Sequence, residues 1–183
     1  LAGLGKSDEV SVHDFRKSGA AVFASIKKVH GNDFTVRFTE AGVAHMAAFA
    51  EGMMLRNYSY DEYKMKDDEE TDGEKQVRLT CSEKESEELS ALVNKYRGIT
   101  KGVHLSRDLG NCPPNDMYPE VFADMAWEWA KDYDNVDVTI INYEQAIKAG
   151  MGGLVAVGKG SSRKPCMVIF EMNKNVEGRC PVL

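Results

Sequence analysis

The stretch RDLGNCPPNDMYP, residues 107–119, divides this 183-residue sequence into two parts. Gly110 is a typical stop for a helix, and Pro113 followed by Pro114 prevents a helix from continuing. Pro119 suits the first turn of a new helix, where its missing N–H would have no partner anyway. The sequence therefore predicts one helix that ends near residue 110 and another that begins near residue 119.

The part before this stretch mixes helical and extended patterns. Apolar residues at three- and four-residue spacing predict helices over 12–29, 40–57 and 83–109. Alternating patterns at 34–38 and 77–81 predict two short, half-buried strands. Possible capping boxes stand at the start of the first and third helices, at Ser11 with Asp14 and at Ser82 with Glu85.

The part after the stretch alternates helix and strand. A helix from Pro119 should turn an inner face to the core, made of Phe122, Met125, Ala126, Trp129 and Ala130. Strands are expected at 136–141 and 167–172, a short helix at 143–149, and a further sheet segment at 154–157. This order predicts a layered α/β architecture, with helices packed against a sheet.

Composition excludes several classes of protein. The chain is 43% hydrophobic, which is enough for a packed core, and its net charge is −6. The acidic balance argues against electrostatic binding to nucleic acid or to an anionic membrane. The cysteines have no C-x-x-C spacing, so they are interpreted as unpaired thiols in a reducing, cytoplasmic compartment: Cys81, Cys112, Cys166 and Cys180.

Glycine-rich and acidic motifs fall short of ligand-binding patterns. The segment 153–159 matches the first part of a phosphate-binding P-loop, but Gly160 stands where the magnesium-binding hydroxyl is needed. The glycines of this segment and of 3–5 are interpreted as tight turns that need positive φ. The segment 66–75 is rich in acidic residues and has almost no apolar ones, so it is expected to be a solvated loop. A calcium loop is disfavoured because the closing glutamate is absent.

No catalytic constellation is visible in the residues alone. The histidines are scattered without metal-binding spacing, at His13, His30, His45 and His104. No G-x-S-x-G nucleophile motif is present. The chain opens on Leu1 without a methionine and closes on the apolar Pro181-Val182-Leu183, so we expect it to be a piece of a longer protein.

Four segments resemble the leucyl (cytosol) aminopeptidases, in the order in which that family shows them. The weaker two are Gly3-Leu4-Gly5-Lys6 and the pair Glu51-Gly52 followed by Leu55, Tyr58 and Tyr63-Lys64. The more specific two are the junction Arg107-Asp108-Leu109-x-Asn111-x-Pro113-x-Asn115 with Pro119, and the turn Met151-Gly152-Gly153-x-x-Ala156-Val157-x-x-Gly160-Ser161 with Pro165. The resemblance covers most of the chain.

The resemblance implies a domain organisation and an activity. Residues 1–82 would form a small mixed-sheet, macro-like α/β domain, 83–109 a linker helix, and 110–183 the beginning of a catalytic α/β domain. It implies removal of N-terminal residues from peptides by an enzyme with two divalent metal ions (zinc, manganese or magnesium). It also implies a hexamer. The prolines and asparagines of the junction would shape the turn out of the helix, a structural role.

No catalytic, cofactor-binding or metal residue is carried over from the family. The family's metal and catalytic groups belong to the segments V-G-K-G-x-T-F-D-x-G-G and N-T-D-A-E-G-R, which are not in this sequence. Lys159 lies in a different motif. We therefore expect this chain alone to act as scaffold and inter-subunit surface and to be inactive.

Two alternatives remain open at this stage. The chain could be a self-standing module that binds a nucleotide derivative or nucleic acid, since the family's N-terminal domain resembles a nucleotide-derivative-binding fold. It could also be a nucleotide hydrolase that uses Lys159 in the incomplete P-loop. A net charge of −6 argues against the nucleic-acid form of the first.

Overall fold

The computed structural model describes residues 3–4, 9–64 and 74–172 and shows a mixed α/β fold, as the sequence predicts. The chain divides into two compact units, Leu1–Asn111 and Cys112–Leu183. The predictions that concern residues 5–6, 66–73, Cys180 and 181–183 lie outside the described residues. The domain limits at residues 82 and 109 stay a prediction.

The first unit is built on a β-α-β arrangement flanked by two further helices. Its elements are α1 (Val12–Ile26), β1 (Asp33–Arg37), α2 (Val43–Arg56), β2 (Gln76–Thr80) and α3 (Glu83–Asn111). The two strands are parallel and hydrogen-bonded to each other, which requires the chain to cross over between them, here through α2.

Two apolar clusters form the core of this unit. In the first, Phe15 and Phe23 of α1 pack with Phe49 of α2, and alternate residues of both strands cover them. The face that the sequence predicts for α1 is confirmed, since its buried residues are Phe15, Gly19, Phe23 and Ile26. In the second, Met46 and Ala47 of α2 pack with Leu89 of α3.

The second unit pairs two antiparallel strands with three helices. Its elements are α4 (Pro119–Ala130), β3 (Val136–Ile141), α5 (Tyr143–Lys148), α6 (Gly152–Gly158) and β4 (Met167–Met172). Pro119 occupies the first turn of α4 as expected. Strands β3 and β4 pair along their whole length.

The inner face predicted for α4 is only partly right. Ala126 and Ala130 are buried together with Ala123, whereas Phe122, Met125 and Trp129 are each about 40% exposed. The two strands and the two other helices of this unit, as far as the structure describes them, leave these three large side chains partly exposed. Periodicity marks which side of a helix is apolar, but not how much chain is present to cover it.

Three further expectations are wrong in detail. Residues 154–157 belong to helix α6 and not to a sheet. Helix α3 continues through Gly110 to Asn111. The glycines with positive φ among the described residues are Gly31 and Gly150, so those at 152, 153 and 158 are helical and make no turn of that kind.

Candidate functional site

The Glu51-Gly52 pair lies where α2 crosses α1. Glu51 is only 8% exposed, and its Oε2 accepts a hydrogen bond from Arg16 Nε at 2.6 Å. A carboxylate in this environment needs a cation and hydrogen bonds to offset its lost hydration. The Arg16 guanidinium supplies both, so the pair ties α1 to α2 across the helix contact.

Glycine at position 52 lets the two helix backbones touch. A Cβ added at Gly52 would lie 1.9 Å from the Arg16 carbonyl oxygen, and one at Gly19 would lie 2.0 Å from the Phe49 carbonyl oxygen. Real Cβ atoms do not approach backbone so closely. The sequence shows Gly19 and Gly52 within helical patterns, but their opposing backbones and Arg16 as the partner of Glu51 were not foreseen.

Tyr58 joins the end of α2 to the end of α3. Its phenol oxygen accepts a hydrogen bond from Asn111 Nδ2 at 2.9 Å. Arg107 donates from Nη1 to the Leu55 carbonyl at 3.1 Å and places its guanidinium 5.2 Å from the Tyr58 ring centroid. Residues of two motifs that are distant in sequence thus meet in one structural contact.

The protonation of Tyr58 is consistent with its role in joining the ends of α2 and α3. Loss of hydration raises the pKa of the phenol, and a hydrogen bond to the Asp108 carboxylate raises it further, while the bond from Asn111 acts to lower it. The phenol therefore stays protonated at neutral pH and can donate to Asp108. We name Tyr58, Arg107, Asp108 and Asn111 the hinge cluster.

Two polar atoms of α3 lack partners near the hinge cluster. His104 packs its ring 5.2 Å from that of Tyr58, and its Nε2 is buried without a hydrogen bond among the described residues. Thr100 lies one turn earlier and is 3% exposed, and its Oγ1 is likewise buried without a hydrogen bond among the described residues.

The turn after α6 is held by packing and by carbonyl contacts. A Cβ at Gly158 would lie 2.2 Å from Pro165 Cγ, so a glycine there lets Pro165 pack on the helix end. Lys164 Nζ donates to the carbonyl oxygens of Lys159 (3.0 Å) and Ser161 (2.8 Å). Lys159 itself follows the carboxyl end of α6. Carbonyl groups do not attract a phosphate, so the P-loop hypothesis loses its physical basis.

Cys166 is a structural thiol. Its Sγ donates to the Pro119 carbonyl at 3.2 Å, and burial raises the pKa of the thiol, as do the nearby Glu120 and Asp124 carboxylates. A raised pKa disfavours the thiolate that a nucleophile requires. Cys81, Cys112 and Cys166 form no disulfide within the described ranges.

The histidines do not assemble a metal site. His45 packs on Phe15 with ring centroids 4.8 Å apart, and His13 Nδ1 lies 3.5 Å from Arg16 Nη1. Residues 3–4, 9–64 and 74–172 contain no group of three or more His, Cys, Asp or Glu side chains placed to share a metal ion. These residues do not fit a two-metal centre, and no catalytic step is assigned to them.

One open cleft lies at the carboxyl ends of β1 and β2. Its volume is about 340 Å³, and its walls include Arg37, Phe38, Met46, Cys81 and Glu85. Sequence reasoning missed it. Parallel pairing of the two strands would have located the cleft, because the carboxyl ends of parallel strands meet at the same edge of a sheet. However, the sequence alone does not show which strands pair or in which direction.

Comparisons with known proteins assign both parts of the chain to one family. Residues 1–67 match the N-terminal domain of the cytosol aminopeptidase family, and residues 104–183 match its catalytic domain. A probable cytosol aminopeptidase of Agrobacterium fabrum is 37% identical over 182 residues, which is 94% of this chain. One of Rhizobium leguminosarum bv. trifolii is 37% identical over 93% of this chain.

Solved structures are similar over the same extent. The bottromycin maturation enzyme BotP in complex with Mn aligns with a TM-score of 0.74 and 27% identity, over 92% of this chain and 35% of that one. A mutant tomato leucine aminopeptidase aligns with a TM-score of 0.78 at 24% identity, over 92% of this chain and 34% of that one, and shows the shared fold.

The α/β fold and the order of the two matched domains are those of one family. This chain belongs to the cytosol aminopeptidase family. It spans about a third of the length of the curated relatives it matches, 35% in the two described above. None of the described helices is both long and apolar enough to cross a bilayer.

Proposed function

We propose that this chain is the N-terminal domain and the first part of the catalytic domain of a metal-dependent leucyl aminopeptidase. The carrying observation is that one chain matches both domains of the family in order, at 1–67 and 104–183. A cytoplasmic, homo-oligomeric (hexameric) enzyme acting on peptides is the parent protein that we infer. The first alternative, a self-standing nucleotide- or nucleic-acid-binding module, has no observation of its own in its favour.

We infer that the reactive groups are supplied by other parts of the parent protein. Two divalent metal ions (zinc, manganese or magnesium) would polarise the scissile carbonyl and activate water there. The relative BotP is described with Mn, which makes this metal the first to test. The contribution of the present residues is support: the α1–α2 contact and the hinge cluster hold the N-terminal domain together.

The exposed apolar side chains of the second unit support this scaffold role. Among the described residues, ten of the fourteen exposed large hydrophobic side chains lie after residue 111, including Trp127, Phe170 and Met172 at about half exposure. Exposed apolar surface of this density is typical of an interface. We propose that further catalytic-domain chain covers it in the parent enzyme.

The first test is activity of the isolated chain. Supplied with Mn²⁺ or Zn²⁺, the purified 183-residue chain should not hydrolyse leucine p-nitroanilide. The full-length Agrobacterium relative, assayed in parallel, is the positive control. Turnover by the chain that disappears with a chelator would show that its own residues bind the metals.

The second test restores the missing part. Residues 1–183 are joined to the remaining carboxyl-terminal sequence of the Agrobacterium relative, and the chimera is assayed with the same metals. Chelator-sensitive release of N-terminal leucine is the expected result. A chimera that folds and binds metal but releases no N-terminal residue would contradict the proposed parent activity.

A further inference from the structure

The cleft at the carboxyl ends of β1 and β2, which we name the strand-end cleft, lies where α/β folds bind small molecules. The two parallel strands end at Arg37 and Thr80, and the cleft opens directly beyond them. Ligands of open α/β sheets bind outside the carboxyl ends of the strands, where loops and helix starts converge. A volume of about 340 Å³ suits a small metabolite.

The lining of the strand-end cleft includes a cationic side chain, that of Arg37. The exposed Arg37 guanidinium has no ion pair or hydrogen bond with any described residue, whereas Arg16 is held by Glu51 at 2.6 Å and Arg78 by Asp33 at 2.9 Å. A guanidinium whose donors have no partner among the described residues is suited to bidentate binding of a carboxylate. The cleft therefore favours a ligand with a carboxylate group.

The same lining includes an anionic side chain, that of Glu85. Glu85 Oε2 accepts hydrogen bonds from the Ser82 backbone N–H at 3.1 Å and from the Ser82 hydroxyl at 2.5 Å. These bonds lower the pKa of Glu85, so its carboxylate is charged at neutral pH. Oε1 takes part in no hydrogen bond among the described residues. A negative group in the lining disfavours a purely anionic ligand and favours an ammonium.

Apolar side chains line the space between the charged groups and the core. Phe38 and Ala41 are half-buried, and Met46 is 2% exposed. An aliphatic side chain can pack on these three groups and be removed from water. We propose that the strand-end cleft binds a zwitterionic α-amino acid with an apolar side chain, its carboxylate on Arg37 and its ammonium on Glu85.

This binding site goes beyond the proposed peptidase function. It belongs to the first unit and needs neither metal nor catalysis. An amino acid with an apolar side chain is also the product class of a leucyl aminopeptidase, so occupancy of the cleft would report product concentration to the enzyme. Binding is measurable on this chain whether or not the proposed activity is correct.

Calorimetric titration of the 183-residue chain with L-leucine tests the proposal. Saturable binding is expected, and it should weaken at least about tenfold for L-leucinamide, which lacks the carboxylate, and for 4-methylpentanoate, which lacks the amine. Absence of saturable binding at millimolar leucine would overturn the proposal, and so would equal affinity for all three compounds.

Substitutions locate the binding. Arg37→Gln and Glu85→Gln should each weaken leucine binding at least about tenfold. Glutamine at position 85 can still cap α3, so the helix start is preserved while the charge is lost. Arg78→Gln is the matched control, since Arg78 lies on the same sheet but outside the cleft lining, and it should leave affinity unchanged. Binding that survives both cleft substitutions would place the ligand elsewhere.

Discussion

At the scale of single residues, the absence of a side chain decides the helix contact in the first unit. Gly19 and Gly52 face backbone carbonyls at distances that no Cβ tolerates. The same contact buries Glu51, whose charge is compensated by Arg16. Packing therefore explains both residues. Gly52 allows the helices to approach, and Glu51 forms an ion pair with Arg16 across the helix contact.

Substitution of Gly52 by alanine should be severely destabilising. The added methyl group meets the Arg16 carbonyl at 1.9 Å, so α1 and α2 must separate and lose packing throughout the Phe15–Phe49 cluster. We expect the free energy of unfolding to fall by about 3 kcal/mol. Urea titration followed by circular dichroism measures the change.

Gly98→Ala provides the control for this measurement. Gly98 lies within α3, and a Cβ there would meet nothing within 4 Å. Because alanine is the better helix former, this variant should gain about 0.5–1 kcal/mol. A Gly52→Ala protein as stable as Gly98→Ala would refute the backbone contact.

At the scale of elements, helix starts and ends are set by side chains close in sequence. The capping box at Ser11 and Asp14 is complete, with both reciprocal bonds present. At Ser82 only the Glu85 side chain reaches back to the Ser82 N–H, while the Glu85 N–H bonds to the Ser82 carbonyl at 3.1 Å. The far end of α3 depends instead on the hinge cluster, which joins residues 53 positions apart.

The cap of α1 predicts a pH dependence. Hydrogen bonds from Ser11 lower the pKa of Asp14 below its ordinary value of 3.8. The stabilisation is therefore fully present above that value and is lost as pH falls through the lowered pKa. Asp14→Asn should be less stable than wild type at neutral pH, and the difference should vanish in strong acid.

Urea titrations across a pH series measure this difference. Ser11→Ala keeps the Asp14 carboxyl but removes the hydrogen bond from the Ser11 hydroxyl, which is the largest cause of the lowered pKa of Asp14. This variant should therefore also lose part of the pH dependence of stability. If Asp14→Asn and wild type had the same free energy of unfolding at every pH, the cap would have no role in stability.

The hinge cluster predicts that the Tyr58 hydroxyl stabilises the end of α3. Tyr58→Phe removes the bonds to Asn111 and Asp108 but keeps the ring on Arg107 and His104, so the free energy of unfolding should fall. Asn111→Ala should show the same loss, and the double variant should lose less than the sum.

Thermal unfolding of these three variants measures the coupling. Tyr133→Phe serves as the control, because the described contact of Tyr133 is made by its ring, 4.7 Å from that of Trp129, and not by its hydroxyl. Strict additivity of Tyr58→Phe and Asn111→Ala would mean that the hydrogen bond contributes nothing.

At the scale of the whole molecule, the two units differ in how complete their cores are. The first has two apolar clusters with phenylalanine, methionine and leucine side chains. The buried apolar residues of the second are small: Ala123, Ala126, Ala130, Val136 and Ala146. Since the stabilisation from burial scales with apolar area, the first unit should fold by itself and the second should not.

Truncation tests this difference. A segment of residues 1–111 should unfold cooperatively in urea, whereas a segment of residues 112–183 should bind a hydrophobic dye and show no cooperative transition. The 183-residue chain measured under the same conditions is the reference. Cooperative unfolding of the 112–183 segment would show that its exposed aromatic residues need no further chain to cover them.

The sequence by itself determined the local features: the α/β class, the strands at 136–141 and 167–172, the cap at Ser11 and Asp14, and the family. These features follow from patterns within a few residues, where spacing and backbone preference act directly. It did not determine helix α6, because a short apolar run is compatible with either helix or strand.

Only the tertiary structure decided which groups meet across long separations. The contact of Gly52 with the Arg16 backbone, the bond between Asn111 and Tyr58, and the presence of Arg37 and Glu85 in the lining of one cleft all join distant parts of the chain. Such contacts depend on how elements pack, and the packing follows from the burial of the whole core rather than from any local pattern.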